Sequence, residues 1–505
     1  MRPEQLQDAL SDIGEDLYDE ENLKPKKTKH TRIKWTALIA ALLCLSILCT
    51  VIFRPETDII TKRNSDKQNI IPTDDKTLPT LIDPDPDNVY LYNGALAMAI
   101  YPKSPANPNV EDENGRPMND TSEEWYTFYN EMDSEFRELG IDLNGFYSKT
   151  CRALFKDSYN SNLIYSPVNL YMAMAMLAEI TGGESRAQLL DLTECTTIEE
   201  LRQNAKAIWK ACYKNDKVSS LILANSLWLD DSYDYNQETL NNLAEYYYAS
   251  SFEGESGSEE FNEELRHWLS EQTNGILDDK IKDVCILPEA ILTLASTIYF
   301  YAKWDTEFNE ELTKEKVFHS PAGDITCDFM HSSNDDSYYW ADSFSAVRKS
   351  LSESGSMYFI LPDEGYSPET ILASEEFYDF TSKGDLWENR EYLNINLSVP
   401  KFDISSKTEL KSAMIELGVT DIFELSSSNF ENLTEANGFT ATIEHTVRVN
   451  IDEEGCEAAA FTLIMAAGSA MPPDDEIDFV LDRPFIFVIT SDAGIPLYTG
   501  IVNNP

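Results

Sequence analysis

Five histidines, His30, His267, His319, His331 and His445, are all that the chain offers for acid–base chemistry near neutral pH. No Gly-x-Ser-x-Gly elbow and no His-Glu-x-x-His helix accompanies them, and single Ser, His and Asp residues are too common to nominate a triad. Cys327 and His331 have a ligand-like spacing, but two residues do not make a metal site, and core packing is the better account. The sequence therefore predicts no enzyme, no metal and no cofactor.

The informative chemistry lies at residues 452–473, Asp-Glu-Glu-Gly-Cys-Glu-Ala-Ala-Ala-Phe-Thr-Leu-Ile-Met-Ala-Ala-Gly-Ser-Ala-Met-Pro-Pro. A quarter of the chain is charged, yet Ala458 to Pro473 carries no charge. Read at period two, Cys456, Ala458, Ala460, Thr462, Ile464, Ala466 and Gly468 share one face, all small or apolar. That face could be buried in a sheet without desolvating a charge, while the flanking Asp-Glu-Glu-Gly and Pro-Pro-Asp-Asp-Glu read as loop. The segment is a loop whose sequence is fit to become a strand.

Asp452-Glu-Glu-Gly-Cys-Glu-Ala-Ala-Ala460 resembles the hinge of the reactive-centre loop of serpins, the suicide inhibitors of serine proteases. Other segments fit the same family in order. Asn162-Leu-Ile-Tyr-Ser-Pro167 resembles the segment with the shutter serine, and Gly182-Gly-Glu-Ser-Arg-Ala-Gln follows it. Trp268-Leu-Ser-Glu-Gln-Thr-Asn-Gly-Ile276 is similar to the helix before the central sheet, and Ile298-Tyr-Phe-Tyr-Ala-Lys-Trp304 to the strand with the breach tryptophan. Pro400-Lys-Phe, Arg483-Pro-Phe-Ile-Phe and Pro496-Leu-Tyr-Thr-Gly-Ile-Val-Asn-Asn-Pro505 complete a resemblance spanning about 125–505.

The resemblance implies a single domain with three β-sheets, eight or nine helices and an exposed reactive-centre loop. It assigns hinge roles to Glu453, Glu454, Gly455, Cys456, Ala458, Ala459 and Ala460, and shutter or breach roles to Ser166, Asn169, His445 and Trp304. Family spacing from Glu453 implies a reactive bond at Ser469-Ala470, with Gly468-Ser469 and Ala470-Met471 within one residue. Small residues around that bond fit a shallow specificity pocket of the elastase or subtilisin class. The implied partners are serine proteases, met by a monomer that traps them after acylation. The alternative is a non-inhibitory member of the same fold that acts as a surface binding or chaperone-like protein; bulky or charged hinges typify such members, and this hinge is small. Departures from the family pattern are Cys456 for Thr or Ser, Asn169 for a second serine, and Ala302 for glycine.

The remaining elements fall into place around this loop. Ser166 and Pro167 read as N-cap and first turn of a helix running to Gly182-Gly183, and Ser406-Lys-Thr-Glu409 reads as a capping box opening another. Strand-like runs recur at 218–229, 291–303, 356–361, 392–402, 440–451, 478–490 and 496–502. Helices first and strands later, without alternation, argue α+β. Outside the transmembrane candidate described next, cysteines 151, 195, 212, 285, 327 and 456 show no pairing framework and read as scattered buried thiols, although their even number leaves disulfides open.

A net charge of −50, from 39 basic and 89 acidic residues, excludes nucleic acid as a partner. Trp35 to Phe53 is a run of nineteen uncharged residues, about 28 Å as a helix, preceded by Lys24, Lys26, Lys27, Lys29, Arg32 and Lys34. It predicts a single transmembrane helix, hence a membrane-anchored, prokaryote-like member; the rival is a signal peptide cleaved from a secreted protein. The expected organisation is a cytoplasmic arm at 1–34, a helix at 35–53, an extracellular Pro/Asp-rich linker at 54–120 and the serpin domain at 121–505. In the arm, Leu6, Leu10, Ile13 and Leu17 share a helical face. Nine of the 22 prolines fall in the linker, whose apolar stretch Val89 to Tyr101 reads either as a docking strand or as exposed linker.

Overall fold

Two sheets packed around one buried helix build the molecule. A computed structural model describes residues 42–53, 94–105, 107–108, 122–156, 158, 160–216, 218–273, 275, 281–282, 284–453 and 475–505. The arm expected at 1–34, Glu454 to Ala460 of the expected hinge and the expected reactive bond Ser469-Ala470 lie outside the described residues.

The first sheet contains β1 (Leu42–Phe53), β2 (Ala95–Ala97), β4 (Lys214–Asn215), β5 (Ser220–Asp230), β6 (Ala249–Gly254), β7 (Ala290–Ala302), β13 (Phe402–Glu409) and β14 (Phe439–Ile451). Its order is β13-β14-β1-β7-β5-β6-β2, with β4 on β5. The second contains β3 (Leu163–Tyr165), β8 (Lys314–Ser320), β9 (Gly323–Trp340), β10 (Phe344–Leu351), β11 (Gly355–Pro362), β12 (Arg390–Pro400), β15 (Glu476–Val480), β16 (Phe485–Thr490) and β17 (Pro496–Val502). Its order is β15-β12-β9-β10-β11-β16-β17-β3, with β8 on β9. Where three sheets are expected, the described strands form two, because the 18-residue β9 pairs β8 along its first part (323–329), β12 along its second (329–339) and β10 at its end (338–340). Nearly all neighbours are antiparallel, as the α+β reading requires; β5–β6 and β12–β15 are parallel.

Ten α-helices occur among the described residues, against the eight or nine expected: α1 (Ser122–Leu139), α2 (Asn144–Phe155), α3 (Pro167–Ile180), α4 (Gly183–Leu192), α5 (Ile198–Cys212), α6 (Gln237–Tyr246), α7 (Glu259–Gln272), α8 (Pro368–Ala373), α9 (Glu375–Lys383) and α10 (Lys411–Glu416). The pivot is α3. Ser166 caps it, accepting from the Asn169 N–H at 3.4 Å, and Pro167 supplies its first turn. Every residue of α3 is buried, so its sequence is apolar all round rather than striped. Its one charge, Glu179, accepts two hydrogen bonds from Arg202, at 2.7 and 2.8 Å, and one from Tyr247 at 3.0 Å, which is what keeps a buried carboxylate tolerable. On the other side of the first sheet, α7 packs Phe261 and Trp268 against Trp228 and Phe252 of β5 and β6.

The expected membrane-crossing helix is overturned. Residues 42–53 form strand β1, and among the described residues no helix is long and apolar enough to cross a membrane. The placement of the chain in a cell membrane loses its basis with it. Lack of charge over a dozen residues suits a strand buried between two others as well as it suits lipid, and periodicity cannot separate the two. Part of the predicted linker also belongs to the fold. Ala95–Ala97 docks on β6, the Ala99 N–H donates to Ser250 Oγ at 3.1 Å, and buried Asn107 donates to Asp216 at 3.0 Å. The Ser406–Glu409 capping box is a strand instead: Ser406 Oγ both accepts from the Ile164 N–H and donates to the Ile164 carbonyl, tying β13 to β3. Helix α10 starts only at Lys411, with no cap from Leu410, although Glu409 Oε1 accepts from the Lys411 N–H at 2.9 Å.

Candidate functional site

Strand β14 ends just before the expected hinge, and its far end is held by several contacts. Trp304, just beyond β7, is 2% exposed and donates from Nε1 to the Asp452 carbonyl at 2.8 Å. The Glu453 carbonyl accepts from the Phe308 N–H at 3.0 Å. The Glu453 carboxylate is buried, paired with Lys401 Nζ at 2.5 Å and accepting from Thr313 Oγ1 at 2.6 Å. Burial alone would raise its pKa, but the bonds from Lys401 and Thr313 outweigh it and hold the carboxyl below its ordinary value. Beneath, Lys349 lies over the Phe308 ring at 4.3 Å and donates to the Thr306 carbonyl at 2.7 Å. Burial pushes its pKa down to about 8. Lys349 and Thr313 carry no motif of their own and were not legible in the sequence; Lys401 lies in the Pro400-Lys-Phe match, but nothing there tied it to Glu453.

Midway along the same strands sits a second cluster, neutral and dry. The Ser166 N–H donates to His445 Nε2 at 3.1 Å, and the ring is buried with its pKa lowered to about 3 by that burial. Tyr165 lies edge-on to it at 5.9 Å. Asn169 Nδ2 donates to Ser296 Oγ at 2.7 Å, Ser296 donates to Asn225 Oδ1 at 2.6 Å, and Asn225 Nδ2 donates to the Tyr247 carbonyl at 2.8 Å. The structure thus brings Ser166, Asn169 and His445 together, and adds Ser296 and Asn225. Their signal in the sequence was a small polar residue inside an otherwise apolar strand. Asn169, a departure from the family pattern, reaches β7 with its longer side chain.

The chain belongs to the serpin family. The profile described as Serpin (serine protease inhibitor) matches residues 142–505, well over half of the protein. The serpin is 28% identical over 364 residues to the human (Homo sapiens) leukocyte elastase inhibitor, covering 70% of this chain and 96% of that protein. It is 27% identical over 373 residues to alpha-1-antitrypsin of Meriones unguiculatus, covering 70% and 87%. An uncharacterized serpin-like protein of Methanosarcina acetivorans is 27% identical over 345 residues, covering 65% and 78%. Among solved structures, the native state of the thermophilic serpin tengpin superposes with a TM-score of 0.61 at 24% identity, covering 79% of this chain and 97% of that one. The native stressed conformation of Arabidopsis AtSerpin1 gives 0.60 at 25%, covering 72% and 99%. Family membership includes inhibitory relatives named for elastase and antitrypsin.

Among the described residues no group of three or more His, Cys, Asp or Glu could hold a metal, and Cys327 with His331 stays a pair. Cys151, Cys195 and Cys212 are buried free thiols as expected, whereas Cys285 is exposed and Cys327 half-buried.

Proposed function

We propose that this serpin is an irreversible inhibitor of serine proteases with shallow specificity pockets, elastase-like or subtilisin-like. The observation that carries the reading is the anchored Glu453 at the head of a segment in which Gly455, Cys456, Ala458, Ala459 and Ala460 are small, with Glu454 and Glu457 between them. The protease's serine oxygen attacks the Ser469 carbonyl carbon. The Ser469–Ala470 amide bond breaks, Ala470 leaves as a new amino terminus, and Ser469 remains esterified to the protease. The freed hinge then enters between β7 and β14. About fifteen residues at roughly 3.3 Å each carry the acylated protease some 50 Å, and its distorted site cannot deacylate. Small residues lead because the sheet must open around each side chain before water reaches the ester.

The test is to mix the full chain with an elastase-like protease and separate the products under denaturing conditions. A band of summed mass that survives boiling is expected. Cleaved inhibitor beside fully active protease would favour the non-inhibitory reading.

A further inference from the structure

The slot that the hinge would enter already has an occupant. Strand β1 lies between β14 and β7 and pairs with both, Leu43 opposite Asn450 and Tyr301, Leu48 opposite His445 and Ser296, Thr50 opposite Ile443 and Leu294. It is antiparallel to each, so β7 and β14 are parallel to one another across it. The amino-terminal end of β1 stands beside the carboxy-terminal end of β14, where Asp452 and Glu453 are pinned. A segment that left β14 there and folded back along it would start beside Leu43 and run in the direction β1 runs. Both candidates carry what an interior strand demands: residues 42–53 and 458–473 are each free of charge. Two segments cannot pair with the same edges of β7 and β14.

We infer that Leu42–Phe53 is a built-in plug of the loop-insertion slot, and that trapping a protease requires this strand to leave. The inference rests on the inhibitory reading above for its consequence, and on the strand register alone for the occupancy. In the plugged chain the sheet is complete from β13 to β6, and His445 on β14 is separated from Ser296 on β7 by the backbone of Leu48. Insertion must then first strip β1 from two neighbours along most of its length, while the acyl-enzyme keeps hydrolysing. The outcome of each encounter is set by that race: a plugged molecule is consumed as substrate, and an unplugged one traps. The amino-terminal segment, far from the reactive bond in sequence, thereby sets how much protease a given amount of this protein removes.

The test uses the full chain in three forms. The double variant Ile47→Pro, Leu48→Pro removes one backbone N–H facing each neighbour, since successive residues of an interior antiparallel strand bond to opposite sides. The variant Glu444→Cys puts a thiol directly opposite the natural Cys49, at a spacing a disulfide can span. With an elastase-like protease, the proline variant should raise the trapped-to-cleaved ratio at least about fivefold over the parent. The oxidised Glu444→Cys variant, its crosslink to Cys49 identified by peptide mapping, should trap none until reduced. Equal ratios in the parent and the proline variant, or failure of the crosslink to form, would overturn the inference. If no form traps protease, the inhibitory reading fails by itself. A labelled peptide of residues 456–467 then decides occupancy: binding to the proline variant and not to the parent upholds the plug, and equal binding to both, or to neither, removes it.

Discussion

The two clusters that border the central slot are held by opposite physics. Just past β14, a carboxylate, an ammonium group, a hydroxyl and an indole hold Asp452 and Glu453, and the ion pair keeps one foot in water: Lys401 is 36% exposed, Glu453 only 6% by side chain. In the second cluster, Ser166, Asn169, Asn225, Ser296 and His445 form a chain of neutral hydrogen bonds in which every member is at most 1% exposed. A charged clamp with a wet partner yields to salt and pH and can be released without rebuilding the core. A dry neutral network yields to neither readily, but each lost partner leaves a polar group unsatisfied in the interior. The contrast is between a charged, partly wet contact at the end of β14 and a neutral, buried network midway along it; under the inhibitory proposal the first is the one that has to give way.

The sharpest way to break this contrast is to carry charge from the wet end into the dry one. Ala458→Arg should abolish trapping while leaving cleavage at the same bond, because the guanidinium would have to enter the slot unpaired. Gel separation of trapped and cleaved products reads this, and an unchanged ratio would refute insertion as the trapping step.

Next in size is His445→Ala, which leaves the Ser166 N–H without its acceptor and opens a cavity. About 3 kcal/mol of stability should be lost, measured by denaturant unfolding. Glu453→Gln keeps the shape of the clamp and removes its charge. Because Lys401 is more than a third exposed, the loss should be about 1 kcal/mol and should shrink further in high salt, a dependence that His445→Ala should lack.

Acid sharpens the distinction by window. His445 has a folded pKa near 3 against an ordinary 6.5, so the unfolded chain takes up its proton first as pH falls. Its contribution is complete above pH 6.5 and drains as pH drops towards 3. Glu453 is likewise held below its ordinary 4.5, so its contribution is present above that pH and is lost only further down, as pH falls through the folded value. Stability should therefore slope between pH 6.5 and 4.5 in the parent and in Glu453→Gln, and be flatter there in His445→Gln. Unfolding midpoints across that range measure it. The smallest expected effect is kinetic. With a net charge of −50, association with a cationic protease should slow several-fold as ionic strength rises from about 0.05 to about 0.5 M, read by stopped-flow or progress curves.

Of the cluster around Ser166, only the Ser166-Pro167 helix start is a local signal, and it holds; Asn169 and His445 are singled out by family resemblance alone, and Ser296 and Asn225 not at all. The strands β5, β7, β11, β14 and β17 read as β-formers bounded by turns and fall close to their expected ranges. The stretch 478–490 read as one strand is two, broken at Leu481-Asp-Arg-Pro484, where proline cannot donate to a ladder. What the sequence hides is partnership across distance. Ser406 bonds Ile164 rather than capping a helix, and Lys349 reaches Thr306 and Phe308 only through the fold. Residues 42–53 posed the hardest case, since the same uncharged run satisfies a bilayer or a sheet interior, and only pairing with Asn450, His445, Ser296 and Tyr301 decides for the sheet.

Hydrogen exchange on the full chain, free and in covalent complex with an elastase-like protease, tests the exchange of strands most directly. The account predicts that amides of residues 456–467 gain strong protection in the complex, as they pair with β7 and β14, while those of residues 42–53 lose theirs. A covalent complex in which residues 456–467 exchange as freely as in the uncleaved protein would contradict it.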